Sequence, residues 1–182
     1  MSAASVRHAI LDRDGVLNRE QASGWLSAPE QWEWEEGSLE ALQRLSRRGI
    51  QISVVSNQSG IGRGVVTRRD VDELNRWLMA KLAAEGVELA GIYICPHAPG
   101  DGCDCRKPLP GLVRQAIERS GIAAASTLLI GDDKRDLEAG LAAGVRVALV
   151  LTGKGTRVRD QIEPDTLVFR NLFEAVDSIV ED

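Results

Sequence analysis

The segment Asp12-Arg13-Asp14-Gly15 sets two carboxylates two residues apart at the end of an apolar run, 6–11. Further along stand Ser56-Asn57, Lys107, and Asp132-Asp133 with Asp136. Each group alone has an ordinary structural reading. A D-x-D-G is most often a solvated turn, Asp132 and Asp133 suit the start of a helix near 134, and Lys107 suits a surface. Gathered in one place, the same residues define a chemistry. Three or more carboxylates at one edge repel one another. A hard divalent ion with oxygen ligands, Mg²⁺, answers that repulsion, with Asp12, Asp14 and Asp132 as its candidate ligands. The cation and Lys107 then make the site electropositive enough for a phosphate. Asp12, first out of the strand, attacks phosphorus and becomes an aspartyl phosphate. Asp14 protonates the leaving oxygen and later activates water. Ser56, Asn57 and Lys107 hold the transferring oxygens, with the main chain of 13–15 and of the loop at Gln58 and Ser59 donating to the anion. Arg13 is expected to point away, because alternate residues leaving a strand face opposite sides, so that its backbone N–H matters more than its charge.

The elements that must bring these groups together are legible in outline. Strands are expected at 6–11, 50–57, 89–95, 126–132, 145–151 and 166–169, because these runs are short, apolar and in part β-branched. Leu39, Leu42 and Leu45 give a helical pattern stopped at Gly49. Thr67 with Asp70 resembles a capping box ahead of a helix whose one face carries Val71, Leu74, Leu78 and Leu82, ended at Gly86. Further helices are expected at 111–119, 134–143 and 171–180, and loops at 19–36 and 152–165. Trp32 and Trp34 alternate as in a short half-buried strand and are read as packing residues, as is Trp77; His8 is read as structural or exposed. Strands alternating with helices imply an open, doubly wound α/β fold with a parallel sheet, in one domain spanning 1–182. Such sheets bind ligands outside the carboxyl ends of their strands. Asp12 and Asp14, Ser56 and Asn57, Arg106 and Lys107, and Asp132, Asp133 and Asp136 all fall there.

The three cysteines are an odd number and all lie between 95 and 105, which argues against a disulfide scaffold. Cys95, His97, Cys103 and Cys105 match a Cys₃His zinc set, the alternative being incidental reduced thiols. Four protein ligands leave no open position, so the zinc is expected to be structural. It would order a loop with little apolar content and present Arg106 and Lys107 directly after the last ligand. Arg106 is then expected to reach the distal end of a substrate.

A net charge of −5 argues against a nucleic-acid partner, and the apolar runs are too short for a membrane span. The opening stretch meets a charge too soon for a signal peptide, so a cytoplasmic location is expected. Monomer is the default expectation for a chain of this size.

Asp12-x-Asp14-Gly15, Ser56-Asn57, Lys107-Pro108 and Gly131-Asp132-Asp133-x-x-Asp136 resemble, in order and spacing, the four motifs of the haloacid dehalogenase (HAD) superfamily. The resemblance spans about residues 8–151. It implies a Rossmann-like core without a large cap, Mg²⁺ dependence, and phosphoryl transfer through an aspartyl phosphate. The Asp at 14 resembles the phosphatase branch. The zinc loop is similar to that of two groups in this branch, the heptose bisphosphate phosphatases and the histidinol-phosphate phosphatases. The loop Asn57-Gln58-Ser59-Gly60-Ile61-Gly62-Arg63-Gly64 resembles the N-Q-S-G-x-x-R-G of the former. This implies a small phosphorylated sugar as substrate, losing its 7-phosphate in nucleotide-activated heptose synthesis for lipopolysaccharide. Alternatives are a histidinol-phosphate phosphatase, a 3′-phosphatase of DNA ends and an inert zinc-loop binding module. Three features depart from the pattern. Loop 19–31 aligns poorly, Ser56 stands where Thr is commoner, and Asp133 occupies a substrate position where many members carry Lys.

Overall fold

The computed structural model describes residues 5–21 and 24–180. Its centre is a six-stranded sheet, β1 (His8–Leu11), β2 (Gln51–Asn57), β3 (Leu89–Cys95), β4 (Thr127–Gly131), β5 (Arg146–Val150) and β6 (Leu167–Phe169), every pair parallel. The spatial order is β3-β2-β1-β4-β5-β6. The order reverses between β1 and β4, which is the switch point where such sheets leave a crevice. Helices α1 (Ser38–Arg47), α2 (Arg68–Ala84), α3 (Gly111–Ser120), α4 (Lys134–Ala142), α5 (Gly155–Val158) and α6 (Leu172–Val180) complete the fold.

Both faces of the sheet are buried, which explains why its strands read as nearly unbroken apolar runs. Ala9 and Leu11 of β1 face one way, into a core with Leu42, Leu45, Leu74, Leu78, Leu82 and Val176. Ile10 faces the other way, against Leu112, Val113, Ala116 and Ala139. α2 starts on the expected cap: Asp70 N–H donates to Thr67 Oγ1 at 3.1 Å, and Thr67 N–H donates back to Asp70 Oδ2 at 2.9 Å. Trp32 packs edge-on against Trp34 and Trp77, with ring centroids 5.1 and 5.7 Å away. His8 is buried, its Nε2 2.9 Å from Ser53 Oγ.

The expected loop 152–165 is corrected. It contains α5 and a 3₁₀ turn, Arg159–Gln161. A bond from Gly155 N–H to Thr152 O winds the chain tightly after β5, a local feature that carries no apolar periodicity. Among the described residues, no helix is long and apolar enough to cross a membrane.

Candidate active site

The parallel pairings of β1 with β2 and β4 set the carboxyl ends of the central strands side by side. A bond from Asp12 N–H to Ile130 O, 3.0 Å, extends the β1–β4 ladder one residue and fixes where Asp12 emerges. The cleft there has a volume of 160 Å³. Asp12, Asp14, Ser56, Asn57, Ser59, Arg106, Lys107, Asp133 and Asp136 line it, joined by Glu20, Trp25, Arg135 and Lys154.

Lys107 is the hub, although it follows the zinc loop and stands far in sequence from either partner. It is 2% exposed, and its ammonium lies 2.9 Å from Asp12 Oδ1 and 2.5 Å from Asp136 Oδ1, while donating to Val55 O at 3.0 Å. Burial works to lower its pKa, but the Asp12 and Asp136 carboxylates outweigh burial and hold the ammonium above its ordinary value. The surface reading of Lys107 is thereby ruled out. Asn57 clasps its main chain: Asn57 Nδ2 donates to Lys107 O at 3.0 Å, and Lys107 N–H donates to Asn57 Oδ1 at 3.1 Å. Asn57 lines the cleft as expected, but its amide also anchors the lysine.

Ligand oxygens of Asp12, Asp132 and Asp136 all lie within 4.8 Å of one another. One lysine does not balance three carboxylates. Burial, then the charge of Asp136, raises Asp12 to about 7 against the pull of Lys107. Burial, then Asp12 and Asp136, raises Asp132 to about 8. Asp132 Oδ2 accepts from Lys154 N–H at 2.7 Å, whereas Oδ1 is buried without a hydrogen-bond partner. Gly15 (φ +88°) and Gly153 (φ +52°) close around this carboxylate so tightly that a Cβ on either would collide with it. An orphaned, buried oxygen in an electron-rich cradle fits a hard divalent cation.

The carboxylate of Asp14 stands outside that cluster, so that any part Asp14 takes in holding the ion falls to its main-chain oxygen. The third acid is Asp136. Asp14 Oδ1 accepts from Asn18 Nδ2 at 3.0 Å, and its Oδ2 accepts from Gln58 Nε2 at 2.7 Å and Ser56 Oγ at 3.4 Å. Arg13 grips both oxygens through Nη2 at 3.1 Å. Burial works to raise the Asp14 pKa, but the Arg13 guanidinium and the bonds from Asn18 and Gln58 hold it below the ordinary carboxylate value. Arg13 therefore does not point away. It is fully buried and turned back on its neighbour, with Nη1 donating to Asn75 on α2 at 3.3 Å. Its backbone N–H donates to Asp12 Oδ1 at 2.7 Å, holding the attacking carboxylate. Gln58 likewise departs from its expected contact with substrate. It is outside the lining of the cleft, its side chain turned to Asp14 and Ser56.

Asp133 caps α4, accepting from Arg135 N–H at 3.1 Å, and pairs with the Arg135 guanidinium at 2.6 Å. Asp136 closes the capping box by accepting from Asp133 N–H at 3.1 Å. The capping role therefore belongs to Asp133 and Asp136 and not to Asp132. The spacing D-x-x-D carried that signal. Gly153 and Lys154, after β5, had no comparable signal. Lys154 Nζ reaches Glu20 at 2.5 Å, joining the loop after β5 to the loop after β1.

Beside the cleft, Cys95, His97, Cys103 and Cys105 converge, with their ligand atoms within 4.8 Å. Cys95 Sγ is 3.7 Å from Cys103 Sγ and 3.6 Å from His97 Nδ1, which is 3.3 Å from Cys105 Sγ. A tetrahedral zinc site has edges of about 3.8 Å between sulfurs and about 3.5 Å between sulfur and nitrogen. The set fits. Burial, with Cys95 and Cys103 adjacent, pushes the Cys105 thiol up to about 12, so it gives up its proton readily only to a cation set among the sulfurs. The loop is tied to the site at its start, where Gln58 N–H donates to Cys95 O at 2.8 Å, and is closed on itself where Arg106 Nη1 donates to His97 O at 3.2 Å.

Known proteins agree with this geometry. The HAD-hydrolase-like family model matches residues 104–175. A D-glycero-beta-D-manno-heptose-1,7-bisphosphate 7-phosphatase from Pseudomonas putida is 42% identical over 164 residues, 90% of this chain and 93% of that protein. One of the same name from Neisseria meningitidis is 38% identical over 177 residues, 95% of this chain and 94% of that one. The solved structure of D,D-heptose 1,7-bisphosphate phosphatase from B. bronchiseptica, complexed with magnesium and phosphate, superposes with a TM-score of 0.90 at 34% identity. It covers 97% of this chain and 99% of that one. On the sheet order, the four clustered motifs and these likenesses, the chain belongs to the D-glycero-beta-D-manno-heptose-1,7-bisphosphate 7-phosphatase family of HAD-like hydrolases.

Proposed function

We propose that the protein is a Mg²⁺-dependent phosphatase that removes the 7-phosphate of D-glycero-β-D-manno-heptose 1,7-bisphosphate. The observation that carries the chemistry is the pairing of Asp12 with a buried, doubly paired Lys107 beside the orphaned oxygen of Asp132. The family likeness supports the substrate. Asp12 attacks phosphorus; the bond to the sugar oxygen breaks, and Asp14 delivers a proton to that oxygen. Water then attacks the aspartyl phosphate, giving its proton to Asp14 and releasing phosphate and free Asp12. Lys107 and Ser56 hold the equatorial oxygens as charge grows on them. Asp12 and Asp132 would hold a magnesium ion, which would supply positive charge between the attacking carboxylate and the incoming anion. Ser59 and Arg106 line the cleft beyond the reacting centre and suit the distal part of the substrate. Zinc held by Cys95, His97, Cys103 and Cys105 supports the loop that delivers Arg106 and Lys107. The same reading carries a monomer that works in the cytoplasm on a small phosphorylated sugar.

Phosphate release in Mg²⁺ from three compounds tests this: the heptose 1,7-bisphosphate, histidinol phosphate and a 3′-phosphorylated oligonucleotide. The bisphosphate is expected to be turned over with the highest kcat/KM, and Asp12→Asn to abolish turnover while sparing the folded structure. Preference for either other compound overturns the substrate, and turnover by the folded Asp12→Asn protein overturns the nucleophile.

A further inference from the structure

Gln58 belongs to no ligand cluster and does not line the cleft, yet its side chain is 1% exposed and aimed at the reacting residues. Its single Nε2 spends both hydrogens on the site, donating to Asp14 Oδ2 at 2.7 Å and to Ser56 Oγ at 2.8 Å. The opposite orientation of the amide would set its oxygen against a carboxylate, so the donor assignment follows from chemistry. Oε1 is buried without a partner. An amide kept in so unfavourable a place is retained for its donor arm.

Geometry says what that arm does. Oδ2 is the oxygen of Asp14 that Ser56 Oγ meets at 3.4 Å, and Ser56 is the residue that the phosphatase reading sets against the transferring phosphoryl group. The bond from Gln58 is the shortest that Oδ2 accepts, and its other end ties to the hydroxyl that faces the same phosphoryl group. The main chain of Gln58 is pinned in turn to Cys95 O, at a zinc-loop ligand. Resting on the phosphatase reading above, we propose that Gln58 is the positioning residue for the acid step: it fixes Asp14 Oδ2 relative to the transferring group, so that the proton meets the leaving oxygen as its bond to phosphorus breaks.

The dependence of rate on the leaving group separates this role from a merely structural one. A poor leaving group needs the proton in the transition state; a good one does not. kcat/KM, which reports the first transfer, is measured with Mg²⁺ on 2,4-dinitrophenyl phosphate and on phenyl phosphate. The proteins are wild type, Gln58→Met, which fills the space without a donor, and Gln58→Glu, which puts an acceptor there. For both variants we expect a loss of about tenfold or more on phenyl phosphate and less than about threefold on the dinitrophenyl ester. Asp14→Asn should show the same pattern, larger. Equal losses on the two esters, or no loss on either, overturn the role of Gln58 while the phosphatase reading stands. Wild-type protein that hydrolyses neither ester nor the bisphosphate overturns both. A variant that does not fold is replaced by Gln58→Asn, whose shorter donor must give the same selective loss.

Discussion

Replacing Lys107 by Met tests the centre of the site, because Met keeps most of the buried stem and removes only the charge. The ammonium sits 2.9 Å from Asp12 and 2.5 Å from Asp136 and is 2% exposed. At an effective dielectric near 20, each pair is worth roughly 6 kcal/mol before desolvation is subtracted. Removing one partner of a buried pair typically costs about 3–5 kcal/mol, because the charges left behind lose their compensation. Here the three clustered carboxylates would lose the one ammonium that pairs directly with two of them. For a chain of this size, that cost corresponds to a fall in Tm of roughly 6–20 °C. Thermal unfolding should therefore be followed at pH 8 in Mg²⁺-free buffer without chelator, so that zinc stays bound. Part of the lost stability should return when Mg²⁺ is added, because the ion meets the same carboxylates. Activity should not return, since the missing charge acts on the transferring oxygens; a loss of about 10²–10³ in kcat is expected. An unchanged Tm in Mg²⁺-free buffer, or activity within tenfold of wild type, would show that Lys107 does not carry the charge balance of the site.

Three further outcomes are expected. Burial lowers His8 to about 4, against 6.5 for a free histidine, so the unfolded chain binds a proton that the folded chain refuses; the stability from neutral His8 is full above pH 6.5 and falls by about 3 kcal/mol on going to pH 4. Urea unfolding of wild type and His8→Gln should converge by that amount over this window, and parallel curves would count against it. Zinc removal should speed proteolysis within residues 95–107 and lower phosphatase activity even with Mg²⁺ restored; an unchanged digestion pattern would contradict a structural role. Gly153→Ala, which forces a Cβ toward the Asp132 carboxylate at φ +52°, should raise the Mg²⁺ concentration needed for half-maximal activity by about tenfold and cost about 1–3 kcal/mol of stability. A Mg²⁺ titration matching wild type would show that the cradle does not shape the ion site.

Most elements of the fold, and the residue types of the site, were legible in the chain because they rest on local signals. Apolar runs between glycines marked the strands, the Thr67–Asp70 box marked the start of α2, and Cys-x-His with Cys-x-Cys marked a metal loop. Strands alternating with helices implied a parallel sheet, and a parallel sheet sends its carboxyl ends to one edge. That sufficed to bring Asp12, Ser56, Lys107 and Asp132 together without coordinates. Where each side chain points once its strand has ended was not legible, since partners from other segments decide it. Alternation predicted that Arg13 would leave the site, but a strand's two-residue period ends with the strand. Beyond it, Asn75 on α2 and the Asp14 carboxylate draw the guanidinium inward. The same holds for Asp14, turned from the metal cluster toward Arg13, Asn18 and Gln58, and for Asp136, which takes the third place because α4 starts where its carboxylate meets Lys107. Gly153 and Lys154 came into the site only through β5 lying beside β4. The sequence by itself determined which charges the protein owns and the edge at which they gather. Tertiary structure decided which carboxylate each buried cation neutralises, because that depends on desolvation and on distances of a few ångströms between segments that no spacing along the chain records.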